Sequence, residues 1–495
     1  MTKNNCVFNP PDAAALMITA RSFGNYDLAG ALADLIDNSI TAESKNIEII
    51  CRYLDDGDCE VRIRDDGRGM TEVELRAAMR PASSNPANER SPDDLGRFGW
   101  GLKSASFSQA KILTVISWTN GLVSGAGWDL DNIDDFAMSV YDHQSATALM
   151  QTPIITESGT ELIWSNCDRL SENGTLSRNQ FNNLIVQARQ KLSLIFHRYL
   201  SGEQGKFKPL RISLNNTPLE EIDPFCRSNL ATRSFDPETI ELRSNNHKSK
   251  IMMQAFTLPH YSKLSEDDYE KFGGEEGYLR NQGFYVYRNR RFIIWGTWFQ
   301  LAKHGELSKL VRIQVDIPNT LDDIWKITVD KSDAQLPTTL KKRMKVLIEE
   351  FRISSSNTFR SKGAKIDRTG KGKVWERTVR NQMIRYRVNR DHPLVRSTVD
   401  GFSKGDKSKI LDLLELVESE IPVESINFEV GANPHAVQQR DVSREKFASF
   451  VRDTVPIMMA KCDGPEKLVE MLATTEPYAS SWPVVEDVLK GMKLL

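Results

Sequence analysis

The sequence predicts an α/β protein assembled from several parts, and three patterns predict it. Residues 11–215 alternate segments of helical period with short runs of period two, strand-like runs dominate 250–350, and residues 393–495 carry helical apolar periodicity. The first part reads as an α/β sandwich with a mixed sheet. Expected boundaries are 1–215, 216–355, a basic linker at 356–392 and a mainly helical domain at 393–495. A chain of 495 residues is long enough to give each part a core.

Taken in order, Leu28, Leu32, Leu35 and Ile36 fall at helical spacing and make one apolar stripe. Strands are expected at Ile47–Cys51, Val61–Arg64, Ile112–Ser117 and Glu161–Trp164, and a long helix at Arg178–Tyr199. Residues 216–247 are polar and irregular, which suits a linker or insertion. Beyond them, strands are expected at Ile251–Phe256, Gly283–Tyr287, Arg291–Ile294 and Val311–Asp316, then a helix at Pro337–Phe351. Trp295, Trp298 and Phe299 read as core aromatics. Apolar runs at Ile410–Val417, Phe447–Met459 and Leu468–Leu472 predict further helices, with a strand at Ile426–Val430.

Composition narrows the class. The six cysteines form no CxxC pair and no metal spacing, so they read as reduced thiols of a cytoplasmic protein. No apolar run approaches a membrane span, and Met-Thr-Lys-Asn-Asn-Cys is not a signal peptide. A net charge of −2 excludes a uniformly basic nucleic-acid binder but not a local basic surface.

Four blocks carry the chemistry. In Asp34-Leu-Ile-Asp-Asn38, Asp34 and Asn38 lie one turn apart, on a face pointing away from the apolar stripe. A carboxylate there can orient and deprotonate a water, and the amide oxygen is a neutral hard ligand for magnesium. The competing reading is a solvated polar face. In Asp66-Gly67-Arg68-Gly69-Met70 the chain turns where no Cβ is tolerated. Asp66 there can accept a hydrogen bond from an adenine amino group, although an ordinary Asp-Gly hairpin turn also fits. In the third block Gly96, Gly99 and Gly101 precede Leu102-Lys103-Ser104, the start of a helix. Backbone amides of such a turn make an anion site, and Lys103 adds charge. The fourth block is Gly159-Thr160. No GxxxxGK[ST] loop occurs.

In order and spacing these blocks resemble the GHKL (Bergerat-fold) ATPases: type II topoisomerases, MutL proteins, large heat-shock chaperones and histidine kinases. The Leu-Ile-Asp-Asn-Ser-Ile run, Gly96-Arg-Phe-Gly-Trp-Gly-Leu-Lys-Ser104 and Phe284-Tyr-Val-Tyr-Arg-Asn-Arg-Arg-Phe292 look most like the MORC branch and its bacterial relatives. The resemblance spans residues 10–350. It implies ATP and Mg²⁺, with Asn38 on the metal, Asp66 on the adenine amino group, Met70 near the base and Thr160 supporting the adenine contact. It also implies Gly99, Gly101 and Lys103 on the phosphates, with 82–98 as a mobile lid. Residues 216–355 would be a ribosomal-protein-like α/β transducer domain that sends a lysine into the ATP site, Lys331 with Lys326 as second candidate. The family's general base is usually glutamate. Here it is Asp34, whose carboxylate is withdrawn by roughly an ångström, a displacement that can cost about a hundredfold in rate.

Lys341–Arg390 holds sixteen Lys and Arg against four Asp and Glu, and its middle is rich in glycine. Such an arm suits sequence-blind contact with DNA or RNA, and a solvated linker equally. None of the seven histidines is followed by an acidic residue, which argues against a phosphoacceptor histidine kinase. His392 and His435 are isolated and read as structural. The combined expectation is an ATP hydrolase of low turnover, a clamp that homodimerises on ATP and acts on nucleic acid. Its helical C-terminal domain would be a dimerisation or partner-binding module. The alternative is an ATP-gated scaffold or chaperone-like protein with little or no turnover.

Overall fold

The computed structural model describes all residues except 1–8, 10, 24–25, 84–98, 245–246, 261–262, 275, 306–307, 322–324, 326–335, 338–339, 350–372, 381–382, 424, 427–428, 430–442 and 461. The chain forms two compact units, residues 1–357 and 358–495.

The first unit begins with α1 (Ala13–Ala20) and α2 (Leu28–Thr41), followed by β1 (Asn46–Tyr53) and β2 (Cys59–Asp65). Next come α3 (Glu72–Met79), α4 (Gly101–Phe107), β3 (Ile112–Thr119), β4 (Leu122–Asp129), β5 (Ser139–Tyr141), α5 (His143–Leu149) and β6 (Gly159–Ser165). It continues through α6 (Arg178–Ile195), α7 (His197–Leu200), α8 (Gly202–Gly205), β7 (Arg211–Leu214) and β8 (Thr217–Pro218). The strands form one sheet in the order β5-β4-β3-β6-β2-β1-β7-β8. β1 and β7 run parallel while the other pairs are antiparallel, so the sheet is mixed, as expected.

Local chemistry explains where the helices start. Asp27 caps α2 by accepting the Gly30 amide at 2.7 Å, and Thr71 with Glu74 closes a capping box on α3. Ser177 and Gln180 do the same for α6, which stops at Phe196 rather than running unbroken to Tyr199. Leu32, Ile36, Ile49, Val61, Ile63 and Leu192 share one core, which packs α2 and α6 on the same face of the sheet.

The second sheet contains β9 (Arg233–Ser234), β10 (Glu238–Ser244), β11 (His247–Thr257), β12 (Gly283–Arg288), β13 (Arg291–Thr297) and β14 (Val311–Ile317). Its order is β10-β11-β14-β12-β13, with β9 also beside β11. The stretch 216–247, expected to be a linker, therefore supplies β8, β9 and β10. Polar residues conceal these strands because β8 and β9 are exposed and, among the described side chains of β10, only Leu242 is buried. Two short helices, α9 (Glu266–Gly273) and α10 (Gly277–Arg280), precede β12. Residues 340–349 are helical and pack Leu340, Met344, Leu347 and Ile348 under this sheet. Trp298 is buried as expected, whereas Trp295 is partly exposed.

The β12–β13 hairpin joins the two sheets. Asn289 and Arg290 both have positive φ (47° and 69°), the backbone of a two-residue type I′ turn. The Tyr199 hydroxyl donates to Asn289 O at 2.7 Å, and Arg290 lies over the rings of Tyr199 and Phe207. His197 Nε2 pairs with the Tyr287 hydroxyl at 2.9 Å, and Arg198 forms an ion pair with Asp316 on β14.

The second unit opens with a hairpin of β15 (Trp375–Arg380) and β16 (Met383–Val388), so part of the expected basic linker is regular structure. Helices follow at α11 (Pro393–Asp400), α12 (Lys404–Ser419), α13 (Arg444–Met459), α14 (Pro465–Thr474) and α15 (Trp482–Gly491). Val451, Val455, Leu468, Tyr478 and Leu489 form its core. Ile426 and Glu429 are helical, not part of the expected strand.

Candidate functional site

α2 is buried on almost every side, so its polar residues do not form a solvated face. Asp34 and Asp37 are 3% and 1% exposed, while Asn38 is exposed. The Tyr26 hydroxyl donates to Asp34 Oδ2 at 2.6 Å, and Arg291 Nη2 donates to Asp34 Oδ1 at 3.4 Å. Arg291 Nε also lies 2.7 Å from Asp37 Oδ2. A Cβ on Gly101 would sit 3.9 Å from Asp34 Oδ2, so the glycine turn opening α4 faces this carboxylate. Two of the sequence blocks therefore meet.

A second pair meets across the β2–β6 ladder. Alternation buries Cys59, Val61, Ile63 and Asp65 on the helix side of β2, and Asp65 stands opposite Thr160 in the register. Asp65 accepts from Ser39 Oγ at 2.8 Å, Ser44 Oγ at 3.1 Å and the Gly67 amide at 2.9 Å. Burial pushes its carboxyl above the usual range, and the hydrogen bonds from Gly67, Ser39 and Ser44 offset this only in part. Ser117 Oγ lies 3.1 Å from Thr160 Oγ1, donates to Gly159 O and receives the Met70 amide at 2.8 Å. Gly69 has φ 67°, and a Cβ on it would come within 2.2 Å of Trp118 O. Met70 packs against the core beside this cluster.

The placement of Asp66 corrects the sequence reading. Its Oδ1 accepts the amides of Lys45 at 2.7 Å and Asn46 at 2.8 Å, and its Oδ2 accepts the Asn46 side chain. It ties the start of β1 to the end of β2, and Asp65 is the carboxylate beside Gly67, Gly69 and Thr160. The signal was present in the sequence. Strand alternation through Val61 and Ile63 assigns the next buried position to residue 65, not 66.

Lys103 departs from expectation too. It is 1% exposed, and its Nζ donates to Ala78 O at 2.8 Å, closing the C-terminal turn of α3 together with Trp128 Nε1 on Met79 O. Burial pushes its pKa down to about 7. Ser83 Oγ donates to Gly99 O, which joins the two described ends of the expected lid. Gly96, most of the lid at 82–98, Lys326 and Lys331 lie outside the described residues.

A family model of histidine kinase-, DNA gyrase B- and HSP90-like ATPases matches residues 26–160, which contain these clusters apart from Arg291. This region is a GHKL ATPase domain. A search of curated proteins finds no match for the chain. A GHKL ATPase domain supports ATP binding. Among the described residues no cluster of three His, Cys, Asp or Glu could cage a metal, and no helix is long and apolar enough to cross a membrane. Magnesium does not need such a cage, because it is commonly held by one or two protein ligands together with substrate phosphates. The exposed amide of Asn38, one turn from Asp34, fits that arrangement. A separate cavity of about 330 Å³ on the outer face of the sheet is lined by Arg52, Arg62, Arg64, Glu48 and Glu161, whose charges largely cancel.

Proposed function

We propose that the protein is a magnesium-dependent ATPase of MORC-like or MutL-like type, an ATP-gated clamp that pairs with a second copy and acts on nucleic acid. The observation that carries the reading is the convergence of Asp34, Asn38, Gly101, Asp65 and Thr160 within one GHKL domain. Asp65 accepts the adenine amino group, with Gly67, Gly69, Met70 and Thr160 around the base. The amides at Gly99–Gly101 hold the phosphates. Asn38 supplies one ligand to magnesium, which when bound neutralises phosphate charge. Asp34 orients the attacking water and takes its proton. Little else is asked of the protein, because phosphoryl transfer is promoted mainly by positioning and charge stabilisation. Lys331 is the proposed contact from the second domain, and the basic residues of 341–390 are the proposed nucleic-acid contact.

Calorimetry with Mg·ATP tests the site. Asn38→Ala and Asp65→Asn should each weaken binding at least tenfold, whereas Asp34→Ala should bind normally and lose hydrolysis. Unchanged affinity in both binding variants would overturn the assignment. A second reading, an ATP-gated scaffold or chaperone-like protein without useful turnover, is favoured by the short side chain of Asp34. Zero hydrolysis with tight binding would establish it.

A further inference from the structure

We infer that Arg291, a residue of the second sheet, is a positioning residue for the hydrolytic carboxylate and links ATP turnover to that sheet. The inference rests on the ATPase reading. Arg291 lies 257 residues from Asp34 in sequence, yet its guanidinium contacts both Asp34 and Asp37 of α2 and is 3% exposed. It is the first residue of β13, immediately after the type I′ turn. The turn itself is held by Tyr199 on Asn289 O and by Arg290 over Tyr199 and Phe207. Its aim is therefore set by the docking of the hairpin, not by a mobile side chain alone.

The chemistry gives the contact a purpose. Asp34 is a carboxylate on a short stem, and a short stem leaves less freedom to correct a misplaced oxygen. Tyr26 holds Oδ2 and Arg291 holds Oδ1, so the plane of the carboxylate is fixed from two sides. The guanidinium is a planar fork, and Asp37 anchors its other edge. Any shift of β13 relative to α2 rotates the Asp34 carboxylate, which makes hydrolysis sensitive to the second sheet.

The test uses the full chain and three variants: Arg291→Lys, Tyr26→Phe and the charge-balanced pair Asp37→Asn with Arg291→Met. The pair leaves the net buried charge unchanged, should the single variant fold poorly. The expected result is a kcat lowered roughly 10- to 100-fold with KM and calorimetric ATP affinity within about twofold of wild type. Hydrogen exchange supplies a readout apart from turnover: amides of 291–297 should change protection on ATP binding in wild type and lose that response in Arg291→Lys. Unchanged or increased kcat in Arg291→Lys, or equal loss of affinity and kcat, would overturn the inference. Wild-type protein that bound no ATP would overturn the ATPase reading itself. Normal wild-type turnover with normal Arg291→Lys turnover would overturn only the role of Arg291.

Discussion

Burial of Asp66 raises its carboxyl pKa, but the hydrogen bonds from Asn46 and Lys45 outweigh that cost and hold it below the ordinary range. A depressed carboxylate stabilises the fold above its unfolded pKa and loses that contribution as pH falls through the folded value. Asp66→Ala should therefore cost about 1–2 kcal/mol at neutral pH, with the difference from wild type shrinking on acidification in urea melts. Lys103 works in the opposite sense. Its folded form prefers to be neutral, so between about pH 7 and the ordinary lysine range the unfolded chain binds more protons and stability rises with pH. Lys103→Met should flatten that rise, measurable as chemical denaturation at pH 7.5 and 9.5. Both side chains were singled out from the sequence for the wrong task. The sequence displays a charge but not the backbone group it will meet, here Ala78 O and the Lys45 and Asn46 amides.

At the scale of elements, the turn after β2 leaves no room for side chains. Gly69 combines a positive φ with a carbonyl 2.2 Å from where a Cβ would be. Gly69→Ala should destabilise the first unit by about 1–3 kcal/mol and weaken ATP binding, because Met70 must move with it; a thermal melt with nucleotide titration checks both. The strands β1 and β2 were legible because their burial alternates, with Glu48, Arg52, Arg62 and Arg64 off the core, whereas β3 and β6 were legible as short apolar runs. β4 was not, because Leu122-Val-Ser-Gly-Ala-Gly-Trp-Asp129 carries two glycines and no regular alternation. Its strand state comes from pairing with β3, a tertiary effect. The β15–β16 hairpin was hidden for a related reason: its high charge resembles a linker until the two runs are paired.

For the whole molecule, the first 357 residues form a unit that includes both sheets, so a fragment ending there should melt cooperatively and retain ATP affinity; an uncooperative melt would show that the second unit is needed. Neutralising Lys362, Lys365, Lys371 and Lys373 together should weaken nucleic-acid binding and flatten its salt dependence, read from titrations at two ionic strengths. The sequence by itself determined the class of fold, the order of the four blocks and the presence of a nucleotide-type site. Periodicity and glycine spacing are local properties, written within a few residues of where they act. Only the tertiary structure decided where Lys103 spends its charge and that Arg291 meets Asp34. Each of those depends on a partner brought close by the packing of distant segments, and no local pattern encodes the direction from which it arrives.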